Sequence, residues 1–117
     1  MILDHDVLAS HRTIDLTTYG RRTGLPRRIE IWWFHVEGRF IITGTPGRRD
    51  WLANVRSNPA VIVHVAGMDL AGQAVLVDDV VFRRSFFMRP ATSWYSTQAE
   101  LERLVATAPM VEIVFDL

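Results

Sequence analysis

The stretch Arg28–Thr43, with the sequence RIEIWWFHVEGRFIIT, decides the predicted fold. Apolar side chains alternate onto both faces of Arg28–Val36, which predicts a strand with little exposed surface. Glu37-Gly38 predicts a two-residue turn, because glycine readily adopts the positive φ that tight hairpins need. Arg39–Thr43 is then the returning strand. This stretch therefore predicts a β-hairpin at the centre of the fold.

Working outward from this hairpin, the same kind of apolar pattern predicts four further strands. They are Thr13–Tyr19, Ala60–Val65, Leu70–Val77 and Met110–Phe115. Three short helices are predicted near residues 51–57, 80–88 and 97–107, with Asp50 as the N-cap of the first and a Thr97–Glu100 capping box starting the last. The fold class is therefore mostly β: a six-stranded, mainly antiparallel barrel with helices covering its ends.

Composition limits the possible functions of the chain. Its 117 residues, without a linker or a repeat, predict one domain over residues 1–117, and a hydrophobic fraction of 49% excludes a disordered chain. No apolar run is long enough for a membrane span, and the acidic N-terminal residues do not resemble a secretory signal. There is no cysteine, which excludes disulfides and cysteine metal sites. We expect a cytoplasmic protein.

Basic residues are unevenly distributed although the net charge is zero. All 13 are arginine, and nine of them fall between Arg12 and Arg56, against four acidic residues in the same segment. Overall neutrality argues against a nucleic-acid-binding protein, which usually carries a strongly basic domain. The clustering instead predicts a local site for an anion.

Two loops carry these arginines: Gly20–Arg28 and Pro46–Trp51. Glycine lets backbone N–H groups turn toward an anion, and guanidinium groups bind phosphate oxygens in pairs. The second loop also precedes a predicted helix, whose N-terminus attracts negative charge. Together the loops predict a site for a phosphorylated cofactor. Trp51 is expected either to pack against a flat cofactor ring or to belong to the core.

The sequence shows no set of catalytic side chains and no metal site. Its four histidines lack the spacing of metal ligands, and there is no nucleophile elbow. His35 and His64 lie in predicted strands, where a hydrogen-bonded structural histidine is the better interpretation. Enzymes of this kind often take their reactivity from a cofactor, while the protein supplies position and electrostatics.

Two motifs resemble the deazaflavin-dependent nitroreductase family. Leu16-Thr17-Thr18-Tyr19-Gly20-Arg21-Arg22-Thr23-Gly24-Leu25-Pro26-Arg27 is similar to the family signature Thr-Gly-Arg-(Lys/Arg)-(Ser/Thr)-Gly-x-Pro-Arg. The stretch Gly44–Pro59 is similar to its second element, a basic glycine loop followed by Trp and by Asn-Pro. The resemblance covers about residues 13–65. It implies a split β-barrel like that of the flavin-binding pyridoxamine-phosphate oxidases.

The resemblance also implies a cofactor, coenzyme F-420 (8-hydroxy-5-deazaflavin), whose phosphate and acidic tail suit a basic groove. The implied cofactor-binding residues are Arg21, Arg22, Thr23, Gly24, Arg27, Ile29, Ile31, Pro46, Gly47, Arg48, Arg49 and Trp51. Trp94 and Tyr95 are the implied substrate-binding residues, since acceptor-facing residues of the family lie in this region and are often tyrosines. The implied reaction is hydride transfer to a small-molecule acceptor (a quinone, a nitro compound or an activated alkene), with no catalytic side chain required. Related barrels often form homodimers.

Two alternatives keep the same barrel. The loops could hold the single phosphate of FMN, or the protein could carry or sequester its cofactor without turnover. Glu30 also departs from the family pattern, since many members have proline at this position. A carboxylate there would repel an anionic cofactor unless it faces away.

Overall fold

The computed structural model describes residues 5–116, and within them one antiparallel sheet of seven strands forms the body of the fold. The strands are β1 (Thr13–Tyr19), β2 (Pro26–Trp32), β3 (Phe34–Val36), β4 (Arg39–Thr43), β5 (Ala60–Val65), β6 (Met68–Leu76) and β7 (Met110–Phe115). Their order across the sheet is β2-β1-β5-β6-β7-β4-β3. β2 also approaches β4 from the far side of this order, so the sheet curls into an incomplete barrel. The mostly β, antiparallel prediction is confirmed.

The predicted count of six strands is wrong, because Arg28–Val36 is broken at Trp33. β2 pairs with β1, whereas β3 pairs with β4, so the chain crosses from one edge of the sheet to the other. The Trp33 backbone N–H donates to the Arg12 carbonyl (3.1 Å), and its indole N–H donates to the His11 carbonyl (2.6 Å). With its buried ring fixed at this point, Trp33 separates two strands that the apolar pattern joins.

The helices cover one part of the sheet. They are α1 (His5–Ala9), α2 (Asp50–Ser57), α3 (Val80–Phe87), α4 (Ser93–Ser96) and α5 (Leu101–Thr107), with a 3-10 turn at Pro90–Thr92. One buried cluster fills the inside of the curl, around Leu16, Phe40 and Val63. A second lies between β3, β4 and α3–α5, around Ile41, Phe86 and Leu104. The apolar residues of β3 are thus covered by this chain's own helices, since Phe34 contacts the rings of Phe86 and Tyr95.

Two of the predicted helix starts are wrong. Arg49 occupies the N-cap position of α2, and Asp50 is the first helical residue. The Thr97–Glu100 capping box does not form, because the Thr97 hydroxyl donates to the Trp94 carbonyl (2.6 Å) and closes the preceding turn. Of the predicted helix 97–107, only Leu101–Thr107 is helical, as α5, and α4 ends before it at Ser96.

Asp79 caps α3 with its side chain. Its carboxylate accepts from the backbone N–H groups of Val81 (2.9 Å) and Phe82 (3.3 Å). Replacing a capping aspartate costs about 1 kcal/mol, so we expect Asp79→Ala to lower the free energy of unfolding by that amount in urea titrations. Asp79→Asn is the matched control, because asparagine caps a helix about as well as aspartate; an equal loss for both variants would contradict the assignment.

Arg83 is a buried cation that holds the end of α5. Its guanidinium donates to the carbonyls of Val105 (2.7 Å), Val77 (3.0 Å), Leu104 (3.3 Å) and Ala108 (2.6 Å). Burial lowers the pKa of this guanidinium, while the nearby Asp78 raises it to a smaller extent. The carbonyls at a helix C-terminus carry partial negative charge, so these contacts stabilise the buried guanidinium. Arg83 thereby fixes α5 against α3 and the end of β6.

Candidate functional site

The first loop closes through glycine. Gly24 has φ of 71°, and its N–H donates to the Gly20 carbonyl (2.7 Å), while the Gly20 N–H donates to the Leu25 carbonyl (2.8 Å). A side chain at Gly24 would be strained, because non-glycine residues rarely adopt this φ. The Thr23 hydroxyl accepts from the Leu25 N–H (3.2 Å). Thr23 and Gly24 therefore make bonds within the loop.

Asn54 of α2 fastens this loop to the barrel. Its side-chain oxygen accepts from the backbone N–H and from the guanidinium of Arg21, each at 3.2 Å. Its side-chain NH₂ donates to the Thr18 hydroxyl of β1 (3.1 Å). Arg21 also lies 3.6 Å from the Asp50 carboxylate. Asn54 is buried, so these three hydrogen bonds position the loop against α2. No pattern in the sequence predicts this role of Asn54.

Arg27 and Arg28 point to opposite faces of β2, as the alternation of a strand requires. Arg28 donates to the Asp15 carboxylate (2.8 Å) on β1. Arg27 lies opposite Thr18 and shares the face of Ile29 and Ile31, which pack against the core of the curl. Glu30 shares the Arg28 face by register and thus faces away from Ile29 and Ile31.

Arg49 is bound within the second loop. Its guanidinium donates to the Thr45 carbonyl (2.9 Å), the Thr45 hydroxyl (2.6 Å) and the Arg48 carbonyl (2.9 Å). The side chain also lies against Gly44 and Gly47, where a Cβ atom would contact it at 3.4 and 3.2 Å. Arg49 therefore organises the loop, with little freedom to reorient toward a ligand.

Other loop arginines have no such partner. Among residues 5–116, the guanidinium groups of Arg22, Arg27 and Arg48 make no hydrogen bond or ion pair. All three are exposed. Unpaired guanidinium groups around a cleft are donors available to phosphate or carboxylate oxygens. This arrangement fits an anionic cofactor.

Three neighbouring clefts contain the predicted site. The loop cleft, of about 700 Å³, lies between the first loop and α2 and is lined by Arg27, Ile29 and Trp51 among others. The arginine cleft, of about 430 Å³, lies between the two loops and adds Gly47 and Arg48. The aromatic cleft, of about 380 Å³, is lined by Ile31, Trp32, Trp94 and Tyr95.

Shared residues connect these clefts. Arg21, Arg22 and Asp50 line both the loop cleft and the arginine cleft, and Arg49 lines both the arginine cleft and the aromatic cleft. Every predicted site residue lines one of the three except Gly24 and Pro46. Trp51 belongs to the core and also borders the loop cleft, and its packing against a cofactor ring stays a prediction. The binding roles of these residues stay predictions.

The aromatic cleft has walls suited to a flat ring. Trp32 and Trp94 are 40% and 47% exposed, and their rings meet edge to face at 5.4 Å. Trp94 packs on Tyr95 in the same manner at 5.2 Å. Aromatic side chains stack readily on flat electron-poor ligands. Trp32 is not among the predicted site residues, because its position in a strand does not distinguish it from a core tryptophan.

Tyr95 is held neutral by burial. The residue is 3% exposed, and burial raises the pKa of its phenol from 10.0 to about 12, while the positive charge of Arg12 lowers it to a smaller extent. A phenol with a raised pKa stabilises the fold fully below pH 10, and this contribution is lost as the pH rises through 12. The full effect is about 2–3 kcal/mol. The contribution is present at neutral pH and does not vary with pH until the pH approaches 10.

We therefore expect the free energy of unfolding to fall between pH 10 and pH 12 by more in the wild type than in Tyr95→Phe. Urea titrations at several alkaline pH values, with both proteins treated alike, measure this difference. The same slope in both proteins would show that Tyr95 is not the group responsible.

Residues 5–116 contain no group of histidine and acidic side chains that could hold a metal ion. His64 bridges the Thr17 hydroxyl (2.7 Å) and the Asp69 carboxylate (2.6 Å), as expected of a structural histidine. None of the helices described here is long and apolar enough to cross a membrane.

Comparisons with known proteins agree with this fold. A family model described as "F420H(2)-dependent quinone reductase" matches residues 7–110. No curated protein matches the sequence. The solved structures with this fold include an F420-H2 dependent reductase, 18% identical, with a TM-score of 0.63 and 97% of this chain and 98% of that chain covered.

Two further structures share the fold. A Listeria innocua protein provisionally classed as a pyridoxamine 5'-phosphate oxidase is 16% identical, with a TM-score of 0.71 and coverage of 96% of this chain and 90% of that chain. A protein described as a domain-swapped dimer is 20% identical, with a TM-score of 0.66 and coverage of 97% and 84%. These likenesses establish the split-barrel fold.

The fold is a split barrel whose clefts suit an anionic cofactor. The family match extends over most of the chain, and this protein belongs to the F420H(2)-dependent quinone reductase family. It is thus an F-420-dependent enzyme, as the sequence predicts.

Proposed function

We propose that this protein reduces a quinone with F-420, which the two loops hold beside the aromatic cleft. The observation that carries the proposal is the set of unpaired guanidinium groups of Arg22, Arg27 and Arg48, which surround clefts connected to the aromatic one. Within the proposal, Arg27 and Arg22 bind phosphate oxygens, and Arg48 binds the acidic tail. Guanidinium groups suit both, because phosphate and carboxylate accept paired hydrogen bonds.

The flat part of the cofactor would lie toward Ile29, Ile31 and the edge of Trp51. These apolar groups offer a surface on which a ring can pack without losing polar contacts. Bound F-420 in its reduced form supplies the hydride. The protein supplies position, through the loops, and keeps water away from the ring, through the buried core beneath it.

The acceptor would occupy the aromatic cleft. Trp32, Trp94 and Tyr95 present ring faces and edges to it, and Arg49 marks the boundary with the cofactor side. A cleft of about 380 Å³ accommodates a ring system of modest size. A quinone agrees with these walls and with the family, and nitroaromatic compounds share the same flat shape.

The experiment is a titration of the purified protein with F-420, followed by fluorescence quenching, with FMN as the comparison ligand. We expect F-420 to bind and FMN to bind more weakly. Reduced F-420 is then mixed with menadione, and its oxidation is followed by absorbance. Tight FMN binding with no response to F-420 would overturn the cofactor assignment; F-420 binding without turnover would indicate a carrier.

We further propose a homodimer in the cytoplasm. The fold match to a domain-swapped dimer supports pairing, and so do the exposed apolar side chains of Val75 and Val114 on the sheet. Light scattering at micromolar concentration is expected to give twice the mass of the chain. A monomeric mass would argue against this, and recovery of the protein in the membrane or secreted fraction would argue against the location.

A further inference from the structure

Arg12 lies outside both loops, in the segment between α1 and β1. It contacts Trp32, one of the walls of the aromatic cleft. Its guanidinium carbon lies 5.8 Å from the centre of the Trp32 ring. A guanidinium over an indole face is held by cation–π attraction. Arg12 itself does not line the cleft, so any effect on a ligand acts through the residues that do.

Trp33 fixes the backbone from which Arg12 extends. Its backbone N–H donates to the Arg12 carbonyl (3.1 Å), and its indole N–H donates to the His11 carbonyl (2.6 Å). Because Trp32 and Trp33 are adjacent, the same peptide segment carries the ring and holds the cation placed on it. The Arg12–Trp32 contact is therefore built into the fold.

This contact continues to the wall of the cleft. Trp32 meets Trp94 at 5.4 Å, and Trp94 meets Tyr95 at 5.2 Å, each edge to face. Trp32 and Trp94 are 40% and 47% exposed, and each ring is one of the groups that restrain the other. Fixing Trp32 therefore restricts the positions that Trp94 can adopt.

The charge of Arg12 also acts in the cleft. Its positive charge lowers the pKa of the Tyr95 phenol, against the larger effect of burial. The other charged residues of the cleft are Glu30, whose carboxylate has no partner among residues 5–116, and Arg49, whose guanidinium is bound to the second loop. The positive charge of Arg12 thus acts on Tyr95 from outside the lining of the cleft.

We propose that Arg12 is a positioning residue for the electron acceptor, and that it favours flat acceptors with a carbonyl or nitro oxygen directed at Tyr95. This inference rests on the proposed function and adds the orientation of the bound acceptor. The Tyr95 hydroxyl has no hydrogen-bond partner among the described residues and donates to the acceptor oxygen. The charge of Arg12 strengthens that bond, because it favours negative charge on the phenol oxygen and on the group bound to it.

The test measures acceptor binding without any cofactor. Menadione and its anionic analogue 1,4-naphthoquinone-2-sulfonate are titrated into the protein, and tryptophan quenching gives each Kd. The variants are Arg12→Gln, which removes the charge, and Arg12→Lys, which keeps it. Arg103→Gln on the exposed face of α5 is the matched control.

We expect Arg12→Gln to raise the Kd of menadione about three- to tenfold and the Kd of the sulfonate by more, because the variant loses a cation–π contact and a favourable charge. Arg12→Lys should stay within about twofold of the wild type, since an ammonium also binds an indole face. Arg103→Gln should change neither Kd. The Tyr95 phenol, titrated by absorbance, should ionise at higher pH in Arg12→Gln than in Arg12→Lys.

Equal Kd values for wild type and Arg12→Gln would overturn the proposal, and so would equal losses for the neutral and the anionic probe. Trp32→Leu keeps the charge of Arg12 and removes the ring, so it should weaken the binding of both probes equally. This variant tests the proposal even if Arg12→Gln does not fold. F-420 affinity should not change in any of these variants. Failure of the wild type to bind F-420 would count against the proposed function alone, because both probes are read without it.

Discussion

Replacing Arg27 by alanine is expected to weaken F-420 binding by about 1.5–3 kcal/mol, the range for hydrogen bonds to charged groups. Arg27 is exposed at the loop cleft and makes no hydrogen bond or ion pair within residues 5–116. Its loss therefore removes a ligand contact without leaving a protein group unpaired, and the free energy of unfolding should stay within about 0.5 kcal/mol of the wild type. Quenching of F-420 fluorescence measures the first quantity, and urea titration measures the second.

Arg103→Ala is the control for this variant. Arg103 is an exposed arginine of α5 and lines none of the three clefts. F-420 affinity should therefore be unchanged. If Arg103→Ala loses as much affinity as Arg27→Ala, general basic charge rather than a site explains the binding.

Replacing Asn54 by alanine should affect both stability and binding. The variant leaves the Arg21 backbone N–H and the buried Thr18 hydroxyl without their partner. Unsatisfied groups of this kind cost about 1–3 kcal/mol each, so we expect a loss of about 2–3 kcal/mol in the free energy of unfolding. The first loop also loses its attachment to α2, and F-420 affinity should fall at least about tenfold, or 1.4 kcal/mol.

Asn58→Ala provides the comparison. Asn58 is an exposed asparagine just beyond the same helix, and its side chain accepts a single hydrogen bond, from the Ala60 N–H (3.1 Å). We expect a loss below about 1 kcal/mol, typical of one exposed hydrogen bond, with unchanged affinity. If Asn54→Ala loses no more unfolding free energy and no more F-420 affinity than Asn58→Ala, the loop does not depend on this attachment.

The elements of the fold could be predicted where the deciding pattern is local. Alternation gave β1, β4, β5 and β7 with their observed limits, and Glu37-Gly38 forms the turn, with both residues at positive φ. The break at Trp33 could not be predicted, because it depends on hydrogen bonds to carbonyls more than twenty positions away. The capping box predicted at Thr97 does not form either, because the Thr97 hydroxyl donates to the Trp94 carbonyl of α4 and does not cap α5.

The candidate site, too, could be predicted only where the deciding pattern is local. Glycines and paired arginines identify both loops, and the structure brings the loops together at the arginine cleft. Which arginines are free is decided by tertiary contacts: Arg49 is bound by Thr45, and Arg28 by Asp15, whereas Arg27 has no partner among the described residues. Asn54 and Arg12 belong to neither loop, and their roles depend on partners distant in the sequence.

Arg83 restricts how this sequence can vary. Surface arginines often exchange with lysine over evolutionary time, because either side chain keeps the charge. Arg83 donates to four carbonyls from different points of the chain, whereas a lysine ammonium has three N–H groups and a compact shape. A lysine there would leave at least one buried carbonyl without its donor. In homologous sequences we therefore expect arginine at this position even where the genome is rich in lysine.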